Sequence, residues 1–159
     1  MRLVDLEIAG HHWRGMRCGC GESAEHLPGD LRQVGGLSPE GRRLHVSLEG
    51  HLGPSNGVWE PAPAVTAVVS AALADGMDPY ARQAHLSLLR GVLSAAGEGD
   101  NGGTVPPGPV LSKRCFALAA EAKWLLYQEM MTYREPGHAG AAFEVLALVE
   151  TDLARLDRL

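Results

Sequence analysis

Two cysteines and three histidines lie close together near the start of the chain, at positions His11, His12, Cys18, Cys20 and His26. Thiolate sulfur and imidazole nitrogen are donors that zinc prefers in proteins, so this set could hold the metal. The spacing argues against a metal site, because structural zinc sites favour Cys-x2-Cys and a helix here would point Cys18 and Cys20 about 200° apart. We therefore expect free cysteines, solvated histidines and no cofactor. A zinc site on Cys18, Cys20 and His26 is the alternative.

Other combinations of residues that could catalyse a reaction give no stronger signal. Ser47, His45 and His51 would share one helix, which cannot provide both an oriented base and its supporting acid. The glycine-rich stretch at 99–103 lacks the Lys-Ser/Thr pair of a phosphate-binding loop. Cys115 lies on an apolar stripe and is expected in the core. We predict that the chain is not an enzyme and has no small-molecule substrate.

The net charge of the chain limits the kind of macromolecule that it is expected to bind. Fourteen basic residues against nineteen acidic ones give a net charge of −5. Nucleic-acid binding is disfavoured, because neutralising phosphates requires clustered basic residues. Nucleic-acid binding would require that folding brings the scattered arginines together on one surface. These arginines include Arg14, Arg17, Arg42, Arg43 and Arg114. An acidic surface instead suits a basic protein partner.

The sequence carries no signal for a membrane or an oxidising compartment. The N-terminal residues lack the apolar core of a signal peptide, and no apolar run approaches the roughly 20 residues of a membrane-spanning helix. Three cysteines, an odd number, argue against a disulfide framework. We expect a cytoplasmic protein.

Apolar residues recur at helical spacing through most of the chain, and this periodicity predicts an all-α fold. A helix over about 62–74 would bury Val65, Val68, Val69, Ala72 and Leu73. Another begins at Pro79 with Asp78 as its N-cap and would bury Leu86, Leu89, Val92, Leu93 and Ala96.

Five more helices complete a predicted total of about seven in a single domain spanning residues 1–159. They are expected from Trp13 to Cys20, from His26 to Gly35, from Ser38 to about Gly53, from Ser112 to about Tyr133, and from about Ala139 to Leu156. The segment at 54–57 is predicted to be a turn, and residues 97–110 a flexible Gly/Pro loop.

Three stretches of the chain resemble HEAT-like repeat proteins of the kind common in high-GC bacteria. They are residues 13–21 followed by Ala24 and Leu27-Pro28, residues 57–60 followed by 62–65, and residues 115–126. These are similar to the family's opening Trp helix, its entrance to an inner helix, and a helix that opens with Cys and closes on a leucine pair. Gly15, Gly19 and the segment 54–56 depart from the family's pattern. The resemblance implies a short right-handed α-solenoid of antiparallel hairpins, protein binding, and no single activity.

The sequence therefore favours a non-catalytic protein-binding module. Trp, Tyr and Arg often anchor interfaces, and the candidate contacts, with their charged neighbours, are Trp59, Glu60, Tyr80, Arg82, Trp124, Tyr127, Gln128 and Glu129. Core packing is the competing interpretation for the two tryptophans, and an ordinary solvent-exposed face is the competing interpretation for the charged neighbours. A small acidic binder of this kind is expected to be an immunity protein that masks the active surface of a cognate toxin, such as a basic nuclease. A general regulatory scaffold is the alternative.

Overall fold

The protein is described by a computed structural model that covers residues 2–36, 48–52, 57–98, 108–133 and 136–159. Within these ranges it is all-α, with nine α-helices, two short 3₁₀ helices and no strand. The α-helices are α1 Leu3–Ala9, α2 Leu27–Gly35, α3 Glu49–Leu52, α4 Ala62–Ala74, α5 Pro79–Glu98, α6 Gly108–Glu121, α7 Lys123–Thr132, α8 Pro136–Val149 and α9 Leu153–Leu156. The 3₁₀ helices are Trp13–Gly15 and Ala24–His26. No helix in the described ranges is both long enough and apolar enough to cross a membrane.

Helices α4 and α5 form the centre of the molecule, and the sequence predicted both. The bounds of α4 match the prediction, and its predicted apolar stripe is buried. Helix α5 begins at Pro79, and the Asp78 carboxylate accepts a hydrogen bond of 2.9 Å from the Tyr80 backbone N–H, as an N-cap residue does. The predicted stripe of α5 is also buried. The short connection between the two helices lets these apolar faces meet.

Other helices pack against this central pair. Helix α4 packs against α1 and α6, while α5 packs against α2, α6 and α8. Helix α2 begins with Pro28 in its first turn and buries Leu27, Leu31 and Val34, as predicted. Helix α1 was not predicted. The Asp75 carboxylate, at the end of α4, accepts hydrogen bonds of 3.0 Å from the first N–H groups of α1 at Leu3 and Val4.

Three helix predictions need correction. The helix expected from Trp13 to Cys20 is wrong, because only Trp13–Gly15 forms a helical turn. The long helix expected from Ser112 begins at Gly108 and is divided at Ala122 into α6 and α7. The last helix is likewise divided between α8 and α9, and Leu153, expected to face inward, is 70% exposed.

The division between α8 and α9 has a physical cause in local side-chain hydrogen bonds. The Glu150 carboxylate accepts from the Asp152 backbone N–H at 3.0 Å, and the Asp152 carboxylate accepts from the Arg155 N–H at 3.2 Å. These bonds compete with the helical ladder and restart the chain as α9. Most of the helix predicted from Ser38 to Gly53, most of the predicted turn at 54–57 and most of the loop at 97–110 fall outside the described residues.

Candidate metal centre

Cys18 and Cys20 lie on a tight turn between α1 and α2. The Gly21 N–H donates to the Cys18 carbonyl at 3.0 Å, the Cys18 N–H donates to the Glu22 carbonyl at 2.9 Å, and a β-bridge links residues 17 and 23. Gly21 has a φ of 91°, in the left-handed region that glycine adopts without a steric penalty. Because this turn is not helical, the two cysteine side chains do not diverge as they would on a helix.

Two histidines from separate elements meet the cysteines at this turn. His26 ends the 3₁₀ helix before α2, and His51 lies in α3. The four donor atoms of Cys18, Cys20, His26 and His51 all lie within 4.8 Å of one another. Two thiols and two imidazoles thus converge on one point, although they come from segments 33 residues apart.

Three separations within the cluster are close to the edges of a zinc coordination tetrahedron. Zn–S bonds of about 2.3 Å and Zn–N bonds of about 2.0–2.1 Å place sulfur roughly 3.6 Å from nitrogen and two nitrogens roughly 3.3 Å apart. Cys18 Sγ lies 3.3 Å from His51 Nδ1 and 3.7 Å from His26 Nε2. His26 Nε2 lies 3.1 Å from His51 Nδ1. These three separations suit a zinc ion bound by Cys18, His26 and His51, and the Cys20 sulfur lies within 4.8 Å of each of these donor atoms.

A hydrogen bond outside the cluster fixes the orientation of the His26 ring. His26 Nδ1 lies 3.1 Å from the backbone carbonyl of Ser23. A carbonyl oxygen can only accept, so Nδ1 carries the proton and donates it. The lone pair of Nε2 is then directed to the cluster, which is the arrangement usual for metal-binding histidines.

The environment of the thiols bears on how a metal would bind. Cys18 is fully buried and Cys20 is exposed, while both histidines are half-buried. Burial raises the pKa of the Cys18 thiol above its ordinary value, and the backbone N–H of Cys20 partly opposes that shift. A metal ligand must be a thiolate, so metal binding would displace the Cys18 proton.

Residues of α3 and of the segment just before α4 support the cysteine turn. The Gly19 N–H donates to the His51 carbonyl at 3.0 Å, and the Arg17 N–H donates to the Glu60 carboxylate at 2.7 Å. A Cβ on Gly19 would lie 2.5 Å from the Gly50 carbonyl oxygen and 2.8 Å from Cδ1 of Trp59. Trp59 and Glu60, predicted to contact a partner, therefore hold this turn against the helical core.

The cluster differs from the set that the sequence suggested. One part of the argument against a metal, the divergence of Cys18 and Cys20 on a helix, is wrong because that helix does not form. The other part stands, since the two cysteines are still not spaced as Cys-x2-Cys. His51 was assigned to a different group, since it follows His26 by 25 positions. His11 is not part of the cluster, because its Nε2 pairs with the Glu7 carboxylate at 3.0 Å. His12, which is exposed, is not part of it either.

Two of the predicted partner contacts are buried, so the expectation that they face solvent is wrong. Arg82 and Glu129 are 7% and 3% exposed and form an ion pair inside the protein. Glu129 also lies 2.7 Å from Nε2 of the buried His138. The Arg82 guanidinium donates to the Leu73 and Asp75 carbonyls at the end of α4. The contacts among Arg82, Glu129 and His138 therefore link α5, α7 and α8.

The remaining predicted contacts have more accessible surface. Tyr80 is 39% exposed in the first turn of α5. Trp124 is 62% exposed on α7, and Gln128 lies one turn further along. Tyr127 is half-buried, and its hydroxyl donates to the Glu150 carboxylate at 2.9 Å. The Trp124 indole is held by the Arg155 guanidinium, 5.4 Å from the ring centroid, and by the Tyr127 ring at 5.3 Å.

Comparison with models of protein families, with curated proteins and with solved structures finds no match for this chain. The functional proposals below therefore rest on the residues of this chain and their geometry.

Proposed function

We propose that this chain is a zinc-stabilised helical protein whose metal is held by Cys18, Cys20, His26 and His51. The observation that carries the proposal is the convergence of all four donor atoms to within 4.8 Å. Two soft sulfur donors with two imidazole nitrogens form a ligand set that favours zinc among the common metals. The proposed ligand set extends the sequence-based alternative of Cys18, Cys20 and His26 by one histidine.

The site is proposed to be structural and not catalytic. Catalytic zinc sites keep one coordination position for water or substrate, whereas structural sites fill all four positions with protein ligands. Four protein donors are present here, so a bound zinc would have no position left for a substrate. The metal would join the turn at 16–23, the start of α2 and the short helix α3.

Cobalt substitution tests the proposal directly. Co²⁺ titrated into the reduced, metal-free protein is expected to give the visible absorption of tetrahedral coordination and a near-ultraviolet thiolate-to-cobalt band. Saturation should occur at one ion per chain, and Zn²⁺ should displace the cobalt because zinc prefers this ligand set. An octahedral, pink spectrum with no thiolate band would overturn the proposal.

Matched variants assign the ligands. His51→Ala removes a proposed ligand, whereas His12→Ala removes an exposed histidine that is not in the cluster. We expect the first to lower cobalt affinity at least tenfold, as loss of a metal-site residue does, and the second to leave it unchanged. Equal affinities for the two variants would remove His51 from the site.

We further propose that the helices stack as a short, HEAT-like solenoid. The packing that supports this brings α4 against α1 and α6, and α5 against α2, α6 and α8. Each member of the central pair thus contacts further helices besides its partner, as helices do in stacked repeats. Helix α7 packs on α8.

Protein binding is the second candidate function, and one surface favours it. Trp124, Gln128 and Met131 recur at helical spacing on what we call the α7 face, and Trp124 and Met131 are each 62% exposed. The contacts of the Trp124 ring with Arg155 and Tyr127 hold it in place before any partner arrives. An ordered, exposed aromatic ring is the kind of residue that anchors an interface at low entropic cost.

The proposed partner is a basic protein, such as a toxin whose active surface is masked, because the chain carries a net charge of −5. Isothermal titration with the purified products of neighbouring genes is the test. Trp124→Ala is expected to weaken binding at least tenfold, and Leu3→Ala, an exposed apolar residue on α1, serves as the control. Equal effects from both variants would exclude the α7 face, and the absence of any binding would remove the immunity role.

A further inference from the structure

We propose that the Cys18–Cys20 pair is a site of reversible oxidation by a hydroperoxide, and that forming a disulfide there releases the metal. The inference rests on the proposed zinc site and adds its regulation. It assigns the two cysteines different parts in the reaction. Cys20 is the residue that reacts with the oxidant, and Cys18 is the residue that resolves the product.

The positions of the two thiols support this assignment. Both lie in one turn with a single residue between them, and their sulfur atoms are no more than 4.8 Å apart. Cys20 is exposed, so a small peroxide can reach its sulfur from solvent. Cys18 is 0% exposed and is reached only from within the cluster. A reaction that starts at Cys20 can therefore be completed by its neighbour without an external thiol.

The chemistry balances as a two-electron oxidation. The Cys20 thiolate attacks one oxygen of hydrogen peroxide, the O–O bond breaks, and the hydroxide that leaves takes a proton to become water. Cys20 is now a sulfenic acid. The Cys18 thiolate attacks the Cys20 sulfur, the S–S bond forms, the S–O bond breaks, and a second hydroxide leaves and is protonated. Two thiolates, one peroxide and two protons give one disulfide and two waters.

Metal release follows from the loss of both anionic ligands. Zinc has no redox chemistry of its own, and a disulfide sulfur no longer carries the thiolate charge that binds the ion. Only the imidazole rings of His26 and His51 would remain as ligands. Cys115, the third cysteine, is fully buried in α6 and is not part of the cluster, so it offers no competing partner.

The experiment uses the full chain loaded with one equivalent of zinc and treated with stoichiometric hydrogen peroxide. A chromophoric chelator reports free zinc, and peptide mass spectrometry maps the cysteines. We expect about one zinc released per disulfide formed, a loss of two hydrogens from the peptide that holds Cys18 and Cys20, and recovery of binding after a dithiol reductant is added. Cys115→Ala should release zinc at the same rate as the wild type.

The possible failures are distinguishable. If the chain never binds zinc, the proposed function fails and this inference fails with it. If zinc binds and is retained while peroxide is consumed elsewhere, the metal site stands and the oxidation site is refuted. Zinc release that is accompanied only by sulfinic or sulfonic Cys20, or by disulfides between chains, also refutes the oxidation site. Cys20→His keeps a metal donor but cannot form the disulfide, so its bound zinc should resist peroxide, and release at the wild-type rate would contradict the proposal.

Discussion

The indole of Trp59 covers the α-carbon of Gly19 so closely that no other side chain fits between them. A Cβ on Gly19 would lie 2.8 Å from Cδ1 of Trp59, and the Gly50 carbonyl oxygen would be closer still, at 2.5 Å. Real Cβ atoms do not approach backbone oxygen to that distance. The cysteine turn, α3 and the start of α4 are thus packed together at a position that only glycine can occupy.

Gly19→Ala is expected to displace the cysteine turn and weaken metal binding. Relieving the clash requires movement of backbone, so we expect a loss of about 1–3 kcal/mol in the free energy of unfolding and a lower cobalt affinity. Gly91→Ala is the control, because a Cβ there meets nothing within 4 Å and lies in the middle of α5. That variant should be unchanged or more stable by about 0.5–1 kcal/mol. Urea unfolding and cobalt titration measure both, and equal stability of the two variants would contradict the packing described.

Cys20 and Cys115 should differ in their reactivity towards alkylating agents. Burial raises the pKa of the Cys115 thiol to about 11, and the thiolate is the reactive form. At pH 8 only about one Cys115 side chain in a thousand would be a thiolate. Iodoacetamide added to the metal-free native protein should therefore modify the exposed Cys20 first and leave Cys115 intact until urea is added. Modification of Cys115 and Cys20 at equal rates would show that α6 opens readily.

The helical core was predictable because its signals are local. In α4, apolar residues at helical spacing between Pro63 and Asp75 determine both the extent of the helix and the face that it buries. In α5, Pro79 and the capping Asp78 mark the start. These patterns depend on neighbours within one or two turns, and tertiary contacts reinforce them.

The metal cluster was not predictable in the same way, because its fourth member comes from a distant segment. His51 joins Cys18 only after α3 is placed against the turn, and spacing in the sequence does not contain that information. Signals for the turn were present in Gly19 and Gly21, which disfavour a helix.

The division between α6 and α7 at Ala122 has no proline or glycine to mark it. Arg82 and Glu129 were expected to be exposed because charged residues usually are. In the structure both are buried, and each is the counter-ion of the other.

Removing one member of the buried Arg82–Glu129 pair should be strongly destabilising. Glu129→Gln leaves the Arg82 charge inside the protein without its counter-ion, and such changes cost about 3–5 kcal/mol. Gln128→Ala changes the adjacent exposed residue and should alter stability by less than about 0.5 kcal/mol. The double variant Arg82→Met/Glu129→Leu should be more stable than Glu129→Gln, since it removes both charges. Urea unfolding of the four proteins tests this, and a loss below about 1 kcal/mol in Glu129→Gln would show that water reaches the pair.

Glu150 connects α7, α8 and α9, and its carboxylate is held in the charged form. The backbone N–H of Asp152 contributes most to lowering its pKa, followed by the Tyr127 hydroxyl, with Lys123 and Arg155 adding to the shift. The result is a pKa of about 2 in place of the ordinary 4.5. A carboxyl group with a lowered pKa stabilises the folded state above its ordinary pKa, and that contribution disappears as the pH falls toward the folded-state value.

Glu150→Gln should therefore be less stable than the wild type at neutral pH, and the difference should shrink as the pH falls from about 4.5 towards 2. Melting temperatures of both proteins across this range measure the effect. Glu144→Gln is the matched control, because Glu144, on α8, pairs with Arg90 on the surface with both side chains more than half exposed. Exposed pairs of this kind contribute about 0–1 kcal/mol, so the control should follow the wild type at every pH. A difference between Glu150→Gln and the wild type that stays constant down to pH 2 would mean that the carboxylate is not the group that the surrounding donors stabilise.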